Sequence, residues 1–152
     1  MNNNDVLRSI RYTFDFGDDK MMELFASGGL EVTRTQICDW LKKEEDPDFK
    51  GIYDHQLAAF LNGFIIEKRG KKEGEQPVAE KKLNNNVVLR KLKIALNLRD
   101  DELIEILALA NFRLGKHELS SFFRNPGQSQ YKPCGDQIIR YFLRGVQKKF
   151  RP

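Results

Sequence analysis

Only two cysteines, two histidines and one tryptophan occur in 152 residues, and these scarcities exclude several kinds of protein. Cys38 and Cys134 are too few and too far apart to form a disulfide framework, so two reduced thiols are expected. His55 and His117 share no motif with either cysteine, and no CxxC, HxxxH or HExxH pair occurs. A zinc site needs about four clustered ligands, so neither a metal nor a cofactor is expected. Phosphate-cradling GxxxxGK and GxGxxG loops are missing, as is the GxSxG nucleophile elbow. No apolar run approaches the ~18 residues of a membrane span. The start, MNNNDVLRSIR, lacks the basic-then-apolar order of a secretion signal. The expectation is a cytoplasmic protein without catalysis and without a membrane partner.

What the chain does contain is itself, twice. NNNDVLR at residues 2–8 returns as NNNVVLR at 84–90, and residues 2–70 align on 84–152 at a constant offset of 82 without a gap. Asn2, Asn3, Asn4, Leu7, Arg8, Asp18, Asp19, Lys50, Asp54, Phe60, Leu61 and Gly63 all meet their own kind, against roughly four matches expected by chance. Elsewhere apolar residues change identity but stay apolar: Phe25 meets Leu107, Leu30 meets Phe112, and Trp40 meets Phe122. Cores accept such exchanges when volume and pattern survive.

The periodicity predicts four helices per copy and no strands, an all-α fold. The first helix runs from about Asn4 to Phe14, with Leu7, Ile10 and Phe14 on one face. Asp18-Asp19 opens the second, since carboxylates suit the positive helix end, and Gly28-Gly29 stops it. Thr33 with Gln36 forms a capping box for the third. The fourth, capped by Asp54, presents Leu57, Phe60, Leu61 and Phe64. Three parts follow: an acidic repeat over 2–70, a charged linker over 71–83, and a basic repeat over 84–152. A unit of this size buries little apolar surface alone, so the two repeats are expected to share a core about a pseudo-twofold axis. Gly63 and Gly145 lie on the apolar faces of the fourth helices, where glycine costs ~1 kcal/mol against alanine. A close helix crossing between the repeats would account for them.

The segments NNNVVLRKLKIALNLRDDELIEILALANFRL and YKPCGDQIIRYFLRGV resemble the YehS family, bacterial proteins built from a duplicated domain of unknown function. The resemblance covers essentially the whole chain. It implies a cytosolic bacterial protein and brings no catalytic or ligand residues with it. The first repeat departs from the later motif, with Ile52-Tyr53 in place of Cys134-Gly135, so any role of that cysteine is confined to the second half.

Charge separates the copies most. Residues 2–70 hold 9 Lys/Arg against 13 Asp/Glu, whereas residues 84–152 hold 13 against 6, so one repeat is net −4 and its twin +7. Arg140, Arg144, Lys148 and Arg151 fall at spacings of four, four and three, a single helical stripe. Lys149 lies beside them, and Arg90, Lys91 and Lys93 add charge on the first helix of that copy. Such a surface suits phosphate contacts driven by counterion release. It equally suits a solvated face, or an acidic protein surface.

Two further patterns have bland readings beside their functional ones. The second and third helices flank a glycine-bearing turn, as in a helix-turn-helix, with Arg34, Thr35, Gln36 and Asp39 outward in one copy and Lys116, His117 and Ser120 in the other. The turn GGLEV is long for the compact motif, and most such pairs are packing units. Arg8/Arg90 with Asp18-Asp19/Asp100-Asp101 could serve acid–base chemistry, or could be caps and a bridging ion pair. The Asn triplets read as caps. Lys50/Lys132 read as a loop-stitching salt bridge, or as an anion site at a helix end. The expected function is a binding or regulatory module, with nucleic acid leading as partner. A protein–protein adaptor or homodimer is the alternative, and an enzyme comes third.

Overall fold

A computed structural model describes residues 1–152 and contains eight helices and no strand. The first repeat comprises α1 (Asn3–Thr13), α2 (Asp18–Ser27), α3 (Arg34–Leu41) and α4 (Asp54–Arg69). The second comprises α5 (Asn85–Ala95), α6 (Asp100–Leu109), α7 (Lys116–Phe122) and α8 (Asp136–Phe150). The chain divides into two compact units, Met1–Leu83 and Asn84–Pro152.

Local chemistry explains the helix ends. At α1, Asn2 Oδ1 accepts the Asp5 N–H at 2.9 Å and the Asp5 carboxylate accepts the Asn2 N–H at 3.0 Å, a reciprocal capping box. Thr33 and Gln36 do the same for α3, as their spacing predicts. The last turns of α2 and α6 close in one way: Leu30 N–H reaches back to the Phe25 carbonyl, and Phe112 N–H to that of Leu107, both at 3.0 Å. This closure needs a left-handed residue, and Gly29 (φ 94°) and Asn111 (φ 61°) supply it. Asp54 differs from its expected role. Tyr53 is the N-cap of α4 and Asp54 is the first helical residue, its carboxylate turned to other donors.

Each unit encloses an apolar core. In the first, the Phe25 ring lies 5.1 Å from Phe60 and 5.3 Å from Trp40, centroid to centroid, with Leu7, Ile10 and Ile37 fully buried beside them. In the second, Leu89, Leu92, Leu107, Leu119 and Phe142 occupy the matching interior. The glycines on the fourth helices have a different cause from the expected contact between repeats. A Cβ on Gly63 would stand 1.7 Å from the Leu24 carbonyl oxygen, and one on Gly145 would stand 2.0 Å from that of Ile106. The close crossing therefore joins α2 to α4, and α6 to α8, inside each repeat.

The fourth helices differ in their surroundings. In α4 every residue from Leu57 to Phe64 is buried; α8 buries one side only and exposes Arg140 and Arg144, which match Ala58 and Asn62. Residues 71–83, expected as a tether, form no helix but belong with the first unit. Pro77, Val78 and Ala79 line a cavity of about 550 Å³ with Leu30 and Ala59. Leu83 N–H donates to the Asp54 carboxylate at 2.8 Å.

Candidate nucleic-acid interface

The polar residues that recur in both copies hold the fold. Asn4 Nδ2 donates to the carbonyls of Trp40 (2.9 Å) and Lys50 (2.8 Å), and its Oδ1 accepts the Ile52 N–H at 3.2 Å. Asn86 repeats this with Phe122 (3.0 Å), Lys132 (2.8 Å) and the Cys134 N–H (2.9 Å). Asn3 and Asn85 donate to Asp54 at 2.7 Å and Asp136 at 2.8 Å. Only the first asparagine of each triplet is a cap; the other two pin the long loop before the fourth helix onto the first. Lys50 and Lys132 join this latch through backbone carbonyls. Arg8 donates to the Lys42 carbonyl at 2.8 Å and pairs with Asp5, and Arg90 donates to the Phe123 carbonyl at 3.3 Å.

The helix-turn-helix reading places Arg34, Thr35, Gln36 and Asp39 outward; Thr35 is exposed, but the other three have work inside their own repeat. Arg34 spans Asp18 and Asp19 at the start of α2, Gln36 completes its capping box, and Asp39 pairs with Lys42 at 2.8 Å. Lys116 and His117 are exposed and Ser120 is half-buried on the short α7.

The candidate phosphate contacts split into two groups. Arg140, Arg144, Lys148, Lys149 and Arg151 are all exposed at α8 and its end. Helical spacing puts the first three on one face and Lys149 roughly half a turn away; Arg151 follows α8 as its C-cap, outside the helical backbone. Lys148 Nζ donates to the Leu109 carbonyl at 3.1 Å, which ties the stripe to the end of α6. Asp136, one turn before Arg140, has its carboxyl held below the usual range, first by the Asn85 amide and also by the Arg140 charge. The residues on α5 lie apart from this group. Lys91 is buried, while Lys93 pairs with Asp100 at 2.6 Å and sits 4.6 Å above the Phe123 ring.

Two aromatic residues join the stripe. Tyr141 and Phe112 stack with centroids 4.9 Å apart and planes 22° from parallel, and the Arg144 guanidinium lies 5.3 Å from the Tyr141 ring centre. Phe112 also lines a cavity of about 400 Å³ with Ile104, Ala108, Asn111 and Arg113. Neither ring was marked by sequence reasoning, because the change from Leu30 to Phe112 looks like an ordinary core exchange. The available signal was the pair of changes taken together: Leu30 and Ala59 become Phe112 and Tyr141 on the same repeat that acquires Arg144 and Lys148.

These features define a class: an all-α protein of two tandem four-helix repeats, the second bearing a basic, aromatic-lined helix face. The chain belongs to the family described as "Protein of unknown function (DUF1456)", which matches residues 3–70 and again 85–151. It is 42% identical over 147 residues to "Uncharacterized protein YehS" of Escherichia coli (strain K12), covering 96% of this chain and 94% of that one. No solved structure matches the chain. No helix is long and apolar enough to cross a membrane.

Proposed function

We propose that this chain is a non-catalytic module that binds nucleic acid through the α8 face of its second repeat. The supporting observation is the exposed row Arg140, Arg144, Lys148 and Arg151, replacing the buried Ala58 and Asn62 and the half-buried Ile66 at three of four sites. The two repeats share one scaffold, yet on the fourth helix Arg140, Arg144 and Lys148 stand where the first copy has uncharged residues. A row of cations along one helix matches the spaced negative charge of a phosphate backbone, and counterion release makes the affinity fall with salt.

A mobility-shift titration at 50 and 200 mM salt, as working conditions of roughly the range over which phosphate contacts respond, tests this reading. The triple change Arg140→Ala, Arg144→Asn, Lys148→Gln should weaken binding and flatten the salt slope by up to about 0.9 per lost contact. Absence of binding at low salt, or binding indifferent to salt, would overturn it. The opposite charges of the repeats, −4 and +7, favour a second reading. In it the basic face meets an acidic protein, or the acidic repeat of another copy. A monomer by light scattering that captures no acidic protein removes that reading.

A further inference from the structure

We propose that the second repeat binds single-stranded nucleic acid by seating a base against Phe112, beside the cation row; this rests on the α8 reading above. Three observations converge on one place. Phe112 and Tyr141 are half-buried rings stacked at 4.9 Å, so each has accessible edge or face while being held rigid by its neighbour. Arg144, one turn along α8, lies 5.3 Å from the Tyr141 ring centre, and Lys148 follows one turn later. Phe112 also lines the 400 Å³ cavity, which is within the size range of small-molecule sites. Asn111 and Arg113 add an amide and a guanidinium to its lining, groups able to bond a base edge.

The combination of stacking rings with a cationic track is what an unpaired strand requires. A duplex hides the faces of its bases, and a base-free polyanion has none to offer; an unpaired strand presents both faces and phosphates. Aromatic stacking contributes about 1–3 kcal/mol per base and tolerates any sequence.

The sister repeat serves as an internal comparison. At the matching positions it has Leu30, Glu31, Ala59, Asn62 and Ile66, with no aromatic ring and no cation. Its crevice beside Leu30 and Ala59 is lined instead by Pro77, Val78 and Ala79, with His55 and Lys81 at its side and no stacked pair of rings. The first repeat thus lines this region with its own 77–81 segment, and the second places the stacked Phe112 and Tyr141 rings and Arg144 there.

The test uses the full chain and three probes of equal length: labelled oligothymidine, the same backbone without bases, and a blunt duplex. The variant carries Phe112→Leu and Tyr141→Ala, the residues that the first repeat uses at those positions; Tyr141→Phe, which keeps the ring, is the control. The wild type should prefer the thymidine strand to both other probes. The double variant should bind it about tenfold more weakly or worse, while its affinity for the base-free strand changes less than about twofold and Tyr141→Phe behaves as wild type. Equal affinity of wild type and double variant for the thymidine strand, or equal losses on the base-free strand, overturns the stacking site and leaves the α8 reading standing. If the wild type binds none of the three at low salt, the α8 reading fails and this one falls with it.

Discussion

The side-chain oxygen of Asn86 accepts the backbone N–H of Cys134 at 2.9 Å, and its amide nitrogen donates to the carbonyls of Phe122 and Lys132. Asn4 makes the same three bonds around Ile52, Trp40 and Lys50. One buried amide thus satisfies two backbone groups of a long loop that has no ladder of its own, and one carbonyl at the end of the preceding helix. Truncation leaves those groups without partners, at about 1–3 kcal/mol for each unsatisfied buried group. Asn4→Ala and Asn86→Ala should each cost about 3 kcal/mol or more in urea unfolding of the whole chain. A loss smaller than about 1 kcal/mol would show that water replaces the amide without penalty.

This latch also shows where sequence reasoning reaches and where it stops. The helices were legible because amphipathic spacing and capping pairs such as Thr33 with Gln36 act over a few residues. The repeat was legible because the offset is constant. The tasks of Asn3 and Asn4 were not, since their partners lie more than 35 residues away and asparagine is a good cap wherever a helix starts. The basic stripe follows from spacing alone, whereas Phe112 and Tyr141 meet only when α6 and α8 pack. Gly63 shows a third case: its position on an apolar face signals a close crossing, but nothing in the pattern says which helix crosses it.

That crossing helix is α2, and the geometry permits no side chain. A Cβ at Gly63 would lie 1.7 Å from the Leu24 carbonyl oxygen, and the obstacle is backbone, which cannot rotate away. Gly63→Ala should therefore cost more than the ~1–3 kcal/mol of ordinary overpacking, although alanine is intrinsically the better helix former by ~1 kcal/mol. Gly51→Ala, in a loop with open space around it and no positive φ, is the control and should lie within about 0.5 kcal/mol of wild type. Thermal unfolding followed by circular dichroism decides; a Gly63→Ala protein as stable as the control would refute the crossing.

Cys134 sits where the first repeat has Ile52, and both are buried. Burial, followed by the nearby Asp136 charge, pushes its thiol up to about 12. Because the thiolate is the reacting species, Cys134 should behave as a small apolar core residue. A thiol reagent at pH 8 is expected to label the half-buried Cys38 first, and Cys134 only at the rate of unfolding. Prompt modification of both thiols in the native protein would contradict this. Cys134→Val should keep the fold within about 1.5 kcal/mol, as volume-conserving exchanges do.

Acid should loosen the latch from its carboxylate side. The Asp54 carboxyl is held below its ordinary value, first by the Leu83 N–H and then by the Asn3 amide, and Asp136 is held down chiefly by the Asn85 amide. A carboxyl whose folded value is depressed contributes stability above its unfolded value of about 3.9, and that contribution disappears as pH falls through the folded value. Stability from these two groups should therefore be level between pH 5 and 7, in the range of about one unit and more above that unfolded value, and decline below pH 4. Asn at position 54 can accept only through one oxygen and meets the Asn3 amide with its own donors on one side, so Asp54→Asn loses part of the latch at neutral pH. In acid the wild type loses the same interaction. The stability gap between wild type and Asp54→Asn should accordingly narrow as pH is lowered through 4 towards 2, read from urea midpoints at each pH. A gap of constant size over that range would mean that the Asp54 charge is not what holds Leu83 and Asn3.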